Sequence, residues 1–120
     1  MTTDRPFTAP AAPTTRVRAG YTSSFRLGET YGTLTTAGRD GQLDQIFLRA
    51  GCHGSTLAGM TDAFSIAASL ALQHGARLDE VTAHLRGTRF EPAGHTDDPD
   101  ITVATSLMDY AGRRLMADFE

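Results

Sequence analysis

Lysine is missing from this sequence: all 11 basic residues are arginine. Base-composition bias is the simple reading, because planar recognition of carboxylate or phosphate by guanidinium needs a defined site as well as the cation. A basic surplus is missing as well. The formal net charge is −3, which makes a nucleic-acid partner an unfavoured reading, since phosphate binding usually shows as excess positive charge. Cysteine is reduced to Cys52. A lone cysteine excludes an intrachain disulfide and every Cys-x-x-Cys metal or redox pattern. It also suits a reducing compartment, so a cytoplasmic location is expected. No apolar run approaches the ~18 residues needed to span a bilayer, so no membrane segment is expected. The N-terminus lacks the basic-then-apolar pattern of a signal peptide.

What is present fits one soluble domain. At 120 residues the expected domain count is one, and such a chain buries about two-thirds of its unfolded surface. Residues 1–14, MTTDRPFTAPAAPT, read as a flexible proline-rich tail in which Phe7 is the apolar anchor. From Thr15 the pattern alternates. Val17, Tyr21, Phe25, Tyr31 and Leu34 are interleaved with arginine, serine and threonine, the period of half-buried strands. Gly20, Gly28 and Gly32 read as punctuation, Ala37 to Gly41 as turn chemistry, and Leu43 to Leu48 as the clearest strand. A small antiparallel sheet is therefore expected over residues 15–49.

Helical spacing follows. Ser55 or Thr56 is placed to cap a helix whose apolar positions Leu57, Met60, Phe64, Ala67, Ala68, Ala71 and Leu72 make one inward face, stopped by His74-Gly75. A shorter helix is expected from Leu78 to Leu85. Asp79 and Glu80 sit near its positive end, and Gly87 terminates it. Thr88 to Pro99 reads as a loop. Ile101, Ala104, Met108, Ala111 and Leu115 then recur at helical spacing. Strands first and helices after give an α+β domain, with three helices packed on one face of the sheet.

Four short signatures occur in order in the second half: an apolar helix ending Leu72-Gln73-His74-Gly75-Ala76, the turn Gly75-x-x-Leu78-Asp79-Glu80, the loop Arg89-Phe90-Glu91-Pro92-Ala93-Gly94, and Thr105-Ser106-x-x-Asp109. Together they resemble the C-terminal segment of adenosylcobalamin (vitamin B12)-dependent, class II, ribonucleotide reductases, the TSCPD domain, which also occurs as short stand-alone proteins. The resemblance covers residues 15–120. Leu107-Met108 stands where that family shows Cys-Pro, so any role tied to that cysteine is absent here.

The resemblance implies a link to deoxyribonucleotide synthesis, with adenosylcobalamin as cofactor of the related full-length enzymes and a reductase large chain as partner. In those enzymes a large barrel carries a thiyl-radical cysteine and a reducing cysteine pair. One thiol cannot supply those groups, so a non-catalytic accessory domain of a ribonucleoside-diphosphate reductase is the expectation, with no catalytic residue, metal or bound cofactor assigned to this chain. The alternative is a homo-oligomeric module that binds a nucleotide or a protein. A further alternative is a structural component that reaches a neighbour with its N-terminal arm.

The candidate binding residues each have a plainer reading beside the functional one. Thr105, Ser106 and Asp109 have the spacing of a helix capping box, or offer amides to an anion. The stripe beginning at Ile101 would instead leave them inside a helix. Arg89 and Glu91 either mark a contact surface or pair locally while Phe90 plugs the core. Gly51 and Gly54 could bring backbone amides to a phosphate, with Arg86 and Arg89 nearby, but the lysine and spacing of a P-loop are lacking. Cys52, ahead of a helix, is the reactive-thiol candidate. The histidines at 53, 74, 84 and 95 have no zinc-ligand spacing. His95 with Asp97, Asp98 and Asp100 reads as solvated, or at most as a weak cation site.

Overall fold

The computed structural model describes residues 19–119; the proline-rich stretch and the expected start of the first strand at 15–18 lie outside them. Three antiparallel strands come first: β1 (Ala19–Leu27), β2 (Thr30–Arg39) and β3 (Gln42–Ala50), in the order β1-β2-β3. Alternation puts Phe25, Leu27, Leu34, Ile46 and Leu48 on the buried face, as the period of two requires. The β2–β3 hairpin turns at Asp40 and Gly41, with φ of 55° and 78°. Positive φ at both central residues matches the right-handed twist of the strands, and Asp-Gly supplies it at little cost. Gly20 and Gly32 are not turn residues, contrary to expectation; both lie within strands. At Gly32 a Cβ would stand 2.6 Å from the Phe25 ring, so the glycine makes room for a core aromatic.

Helix α1 (Thr56–Gln73) is capped by Ser55, whose Oγ accepts the Ala58 amide at 3.1 Å. It ends where expected. The Gly75 amide donates to Leu72 and that of Ala76 to Ala71, with Gly75 at φ 101°, the double bond of a Schellman stop. Its orientation meets the expectation in part: Ala68 is buried, and Leu57, Phe64 and Leu72 pack against the core. Thr61, Ser65, Ala68 and Ser69 face inward, while Met60 and Ala67 are exposed. The reason lies in β3, the last strand of its sheet, whose outward N–H and C=O groups need partners. Ser69 Oγ accepts from Ile46 N and donates to its carbonyl at 3.0 and 3.1 Å. Ser65 Oγ accepts the Leu48 amide at 2.8 Å, and its one proton lies between the Thr61 carbonyl at 2.7 Å and the Leu48 carbonyl at 3.2 Å. The helix thus seals the open edge of the sheet with hydroxyls.

Helix α2 (Leu78–Ala83) stops short of the expected Leu85, and turns carry the chain to Gly87, at φ 85°. The expected loop contains a small ribbon, β4 (Gly94–His95) paired with β5 (Val103–Ala104). Gly28 donates to the His95 carbonyl at 2.8 Å, so the ribbon continues from the end of β1. Ile101 and Ala104 are buried but lie in extended chain; helix α3 (Leu107–Phe119) begins only after them. It lays Leu107, Tyr110, Ala111 and Leu115 into the core, with the Tyr110 ring 4.6 Å from that of Phe25. The domain is α+β, with α3 over the sheet face and α1 along its edge.

Candidate functional site

The first amides of a helix have no partner within it, and α3 meets that need from its own motif. Ser106 Oγ accepts the Asp109 amide at 2.9 Å, and Asp109 Oδ2 accepts the Thr105 amide at 3.1 Å. The capping spacing therefore marks a true helix start. Its reach is longer than a cap. Asp109 Oδ1 takes the Gly87 amide at 2.7 Å, Thr88 and Ser106 share a hydroxyl bond at 2.7 Å, and Thr105 Oγ1 donates to the Thr88 carbonyl at 2.8 Å. The Phe90 amide donates to the Thr105 carbonyl at 3.2 Å.

Asp109 is 4% exposed. Burial alone would raise its carboxyl pKa, but the Gly87 and Thr105 amides and the Arg113 guanidinium outweigh it and hold the group below the usual carboxylate range. Thr105, Ser106 and Asp109 thus form a clasp that fixes the 87–90 loop on the head of α3. At the head of α3 the Asp109 amide is taken by Ser106 Oγ and the Tyr110 amide by the Ser106 carbonyl, and an incoming anion would meet the Asp109 charge.

The clasp aims the loop at a groove. Leu107 is fully buried, whereas Phe90 does not plug the core: it stays 43% exposed. It forms one wall of an apolar groove of about 670 Å³, with Leu57, Met60 and Phe64 from α1 and Leu107 and Met108 from α3. Glu91 stands at the lip. The family's Cys-Pro positions, held here by Leu107 and Met108, thus line the groove.

Of the other candidates, Arg89 is exposed and forms no ion pair with Glu91 among the described residues. The stem of Arg86 covers Gly112, where a Cβ would stand 3.2 Å from Arg86 Cγ. Gly51 and Gly54, at φ 90° and 85°, shape the turn before α1, and Cys52 is exposed within it. The turn borders the groove through Leu57, 3.1 Å from a Cβ built on Gly51. No hydrogen bond or ion pair joins it to Arg86 or Arg89 among the described residues.

Sequence reasoning missed a second polar cluster. Arg114 Nη1 donates to both oxygens of Asp98 at 2.8 and 3.1 Å, its Nη2 to Asp118 at 2.8 Å, and the Tyr110 hydroxyl to Asp98 at 2.7 Å. The Asp118 partner was readable as an i, i+4 pair; Asp98, far away in sequence, was not. Burial raises the Asp98 carboxyl pKa, and the bonds from Arg114 and Tyr110 more than reverse it, leaving it below the ordinary range. The Tyr110 hydroxyl is pushed up by burial and by Asp98. Among the described residues no group of three or more His, Cys, Asp or Glu could hold a metal ion, and no helix is long and apolar enough to cross a membrane.

With this geometry in place, comparison with known proteins identifies its setting. The TSCPD domain family matches residues 7–119. A vitamin B12-dependent ribonucleotide reductase of Streptomyces avermitilis is 48% identical over 103 residues, covering 85% of this chain and 11% of that protein. The same-named protein of Rhodopirellula baltica is 40% identical over 80 residues, covering 67% of this chain and 8% of its own length. The chain spans about a tenth of the length of these curated relatives. No solved structure matches it. The family match over residues 7–119 and the identity with these relatives show that the chain belongs to the TSCPD domain family.

Proposed function

We propose that this domain is a non-catalytic accessory unit of a vitamin B12-dependent ribonucleotide reductase, acting on a catalytic chain supplied separately. The carrying observation is the 48% identity over 103 residues with a segment that makes up only 11% of such an enzyme. Sulfhydryl chemistry supports it. Radical reduction of a ribose in the related enzymes uses a thiyl cysteine and a reducing pair, whereas this chain has Cys52 alone, exposed on a surface turn. The position of the family's cysteine is filled by buried Leu107, which neither transfers electrons nor exchanges disulfides.

The groove does not fit adenosylcobalamin. A corrin ring carries a rim of polar amides and a cobalt that takes a nitrogen ligand, whereas the lining offers Thr56, Thr61 and Glu91 as its polar side chains and no histidine. The cofactor therefore belongs to the catalytic chain, and this domain supplies a shaped, largely apolar contact surface.

The test is reconstitution. A cobalamin-dependent reductase large chain from the same genome is mixed with this domain, and association is followed by sedimentation velocity alongside ribonucleotide turnover. Binding that Phe90→Ala weakens at least tenfold, with no turnover by the domain alone, is the expected result. Turnover by the domain alone with cobalamin, or no association and unchanged activity, would overturn the reading. A nucleotide that raises the melting temperature of the isolated domain would favour a ligand-binding module instead.

A further inference from the structure

The two edges of the sheet are treated differently. Serines of α1 seal the β3 edge, whereas β1 is covered only at its end. There Asp97 stands in for a neighbouring strand: its Oδ1 accepts the Arg26 amide at 2.9 Å, and its own amide donates to the Arg26 carbonyl at 3.3 Å. In an antiparallel strand the backbone groups turn outward at every second residue. With Arg26 facing out, Ser24, Thr22 and Gly20 face out as well, and all three are exposed. Among the described residues their outward N–H and C=O groups have no hydrogen-bond partner. Proteins blunt such an edge with charge, proline or a bulge. Between Ala19 and Phe25 there is no charge, no proline and no bulge against β2.

We propose that this edge docks an extended peptide segment of a partner, which adds as a fourth strand antiparallel to β1 and begins with basic residues. The open backbone sets the conformation, because a row of alternate N–H and C=O groups is matched by another strand. The line is already begun by the segment around Thr96, which runs antiparallel to the end of β1; an added strand continues it past Ser24, Thr22 and Gly20.

The acids set the charge. Beside the edge lies a hollow of about 300 Å³, between Ser23 and Ser24 of β1 and the loop residues Asp97, Asp98 and Asp100, with Arg114 as its one cation. Three carboxylates against one guanidinium leave it negative. Asp97 forms no ion pair among the described residues, and Asp100 is 69% exposed. Arg26, level with Asp97, turns its guanidinium to the Gly28 carbonyl at 2.7 Å. An antiparallel strand starts at this acidic end, so its basic side chains belong at its beginning. The proline-rich segment of this chain is a poor occupant, because Pro6, Pro10 and Pro13 lack ladder donors. The edge and its hollow share no residue with the Phe90 groove, and the inference does not depend on the reductase reading.

The experiment is an NMR titration of the isotope-labelled full chain with an end-capped peptide, Arg-Arg-Thr-Val-Thr-Val-Thr, up to about 1 mM. Control peptides carry glutamates for the arginines, the reversed order, or N-methyl groups on the residues that face the edge. Amide shifts should be confined to residues 20–24 and 97–100, with slower hydrogen exchange at Thr22 and Ser24. The glutamate and N-methylated peptides should bind at least about tenfold more weakly. Thr22→Pro, which removes an outward donor and leaves the β2 ladder intact, should weaken binding by a similar factor. Asp97→Asn keeps an acceptor for Arg26 and should narrow the preference for arginine over glutamate. No shifts at about 1 mM, shifts elsewhere, or undiminished binding of the N-methylated peptide would overturn the edge as the site. Equal binding of the glutamate peptide would overturn the basic partner, and tighter binding of the reversed peptide the antiparallel direction. Self-association that Thr22→Pro abolishes, with no peptide bound, would assign the edge to a second copy instead.

Discussion

The two long helices of this domain solve opposite problems. Helix α3 buries an apolar stripe of Leu107, Tyr110, Ala111 and Leu115 and sends Arg113 and Arg114 outward to aspartates. Helix α1 buries Thr61, Ser65 and Ser69 and leaves Met60, Ile66 and Leu70 in water. The difference comes from what each packs against. The sheet face beneath α3 is side chains, whose match is hydrocarbon; the free edge beside α1 is backbone, whose unpaired N–H and C=O groups need hydrogen-bond partners. A hydrophobic period thus locates a helix and part of its inward face, while the partner it packs against decides the rest.

Removing the keystone of the α3 clasp should have the largest effect. Asp109→Ala leaves the Gly87 and Thr105 amides without their acceptor in a buried site, and breaking a buried charged network costs about 3–4 kcal/mol. Urea denaturation followed by circular dichroism reads this as a lower midpoint at an unchanged slope. A loss under 1 kcal/mol would mean that water replaces the carboxylate freely, and the clasp would not be the anchor argued above.

Next in size is the serine seam of α1. Ser69→Ala strands one N–H and one C=O on the β3 edge, and Ser65→Ala strands the Leu48 N–H, about 1–2 kcal/mol apiece. In Ser65→Ala, native hydrogen exchange at the Leu48 amide should speed up, with little change at amides bonded between β1 and β2. Uniform acceleration across the sheet would show that the serines do not act at the edge.

The sequence made these features legible to very different degrees. The Asp40-Gly41 hairpin, the Ser55 cap and the His74-Gly75 stop each rest on neighbouring residues, and each is found as expected. The capping spacing of Thr105-Ser106-x-x-Asp109 is likewise local. Its link to Gly87 joins residues 22 positions apart, and nothing in either segment announces the other. The start of α3 was obscured because Ile101 and Ala104 reach the core from extended chain while happening to fall at helical spacing. The apolar period of α1 places Leu57, Phe64, Ala68 and Leu72 inward as expected, but it cannot show that an open sheet edge draws Thr61, Ser65 and Ser69 in beside them and leaves Met60 and Ala67 outside. The groove was invisible for the same reason: its walls come from α1, the 90–91 loop and α3.

A smaller effect should appear in acid. Asp98 and Asp109 both have folded-state pKa values below the ordinary one. A depressed carboxyl stabilises the fold above its unfolded pKa, near 3.9, and that contribution is lost as pH falls through the folded value. Stability should therefore be level from pH 7 to about 5 and drop below about 4. Asp109→Asn starts lower at pH 7 but should fall less between pH ~4 and 2, because its share no longer titrates. A variant curve parallel to the wild type over that interval would remove Asp109 as a source of acid sensitivity.

The smallest predicted change tests the other side of the comparison. Ile66 is a large aliphatic residue in the middle of α1, so a reading from hydrophobicity alone assigns it to the core and expects Ile66→Ser to cost several kcal/mol. In the structure it is 62% exposed. Its side chain is already largely hydrated, and serine has nearly the same helix propensity as isoleucine. Ile66→Ser should therefore shift stability by no more than about 0.5 kcal/mol. The sharper comparison is with Ser69→Ala, three residues further along the same helix. There, losing a hydroxyl should cost more than replacing Ile66 with one. If thermal melts at one low concentration returned the reverse order, α1 would have to be rotated by about half a turn, and its serines would not be what seals the sheet.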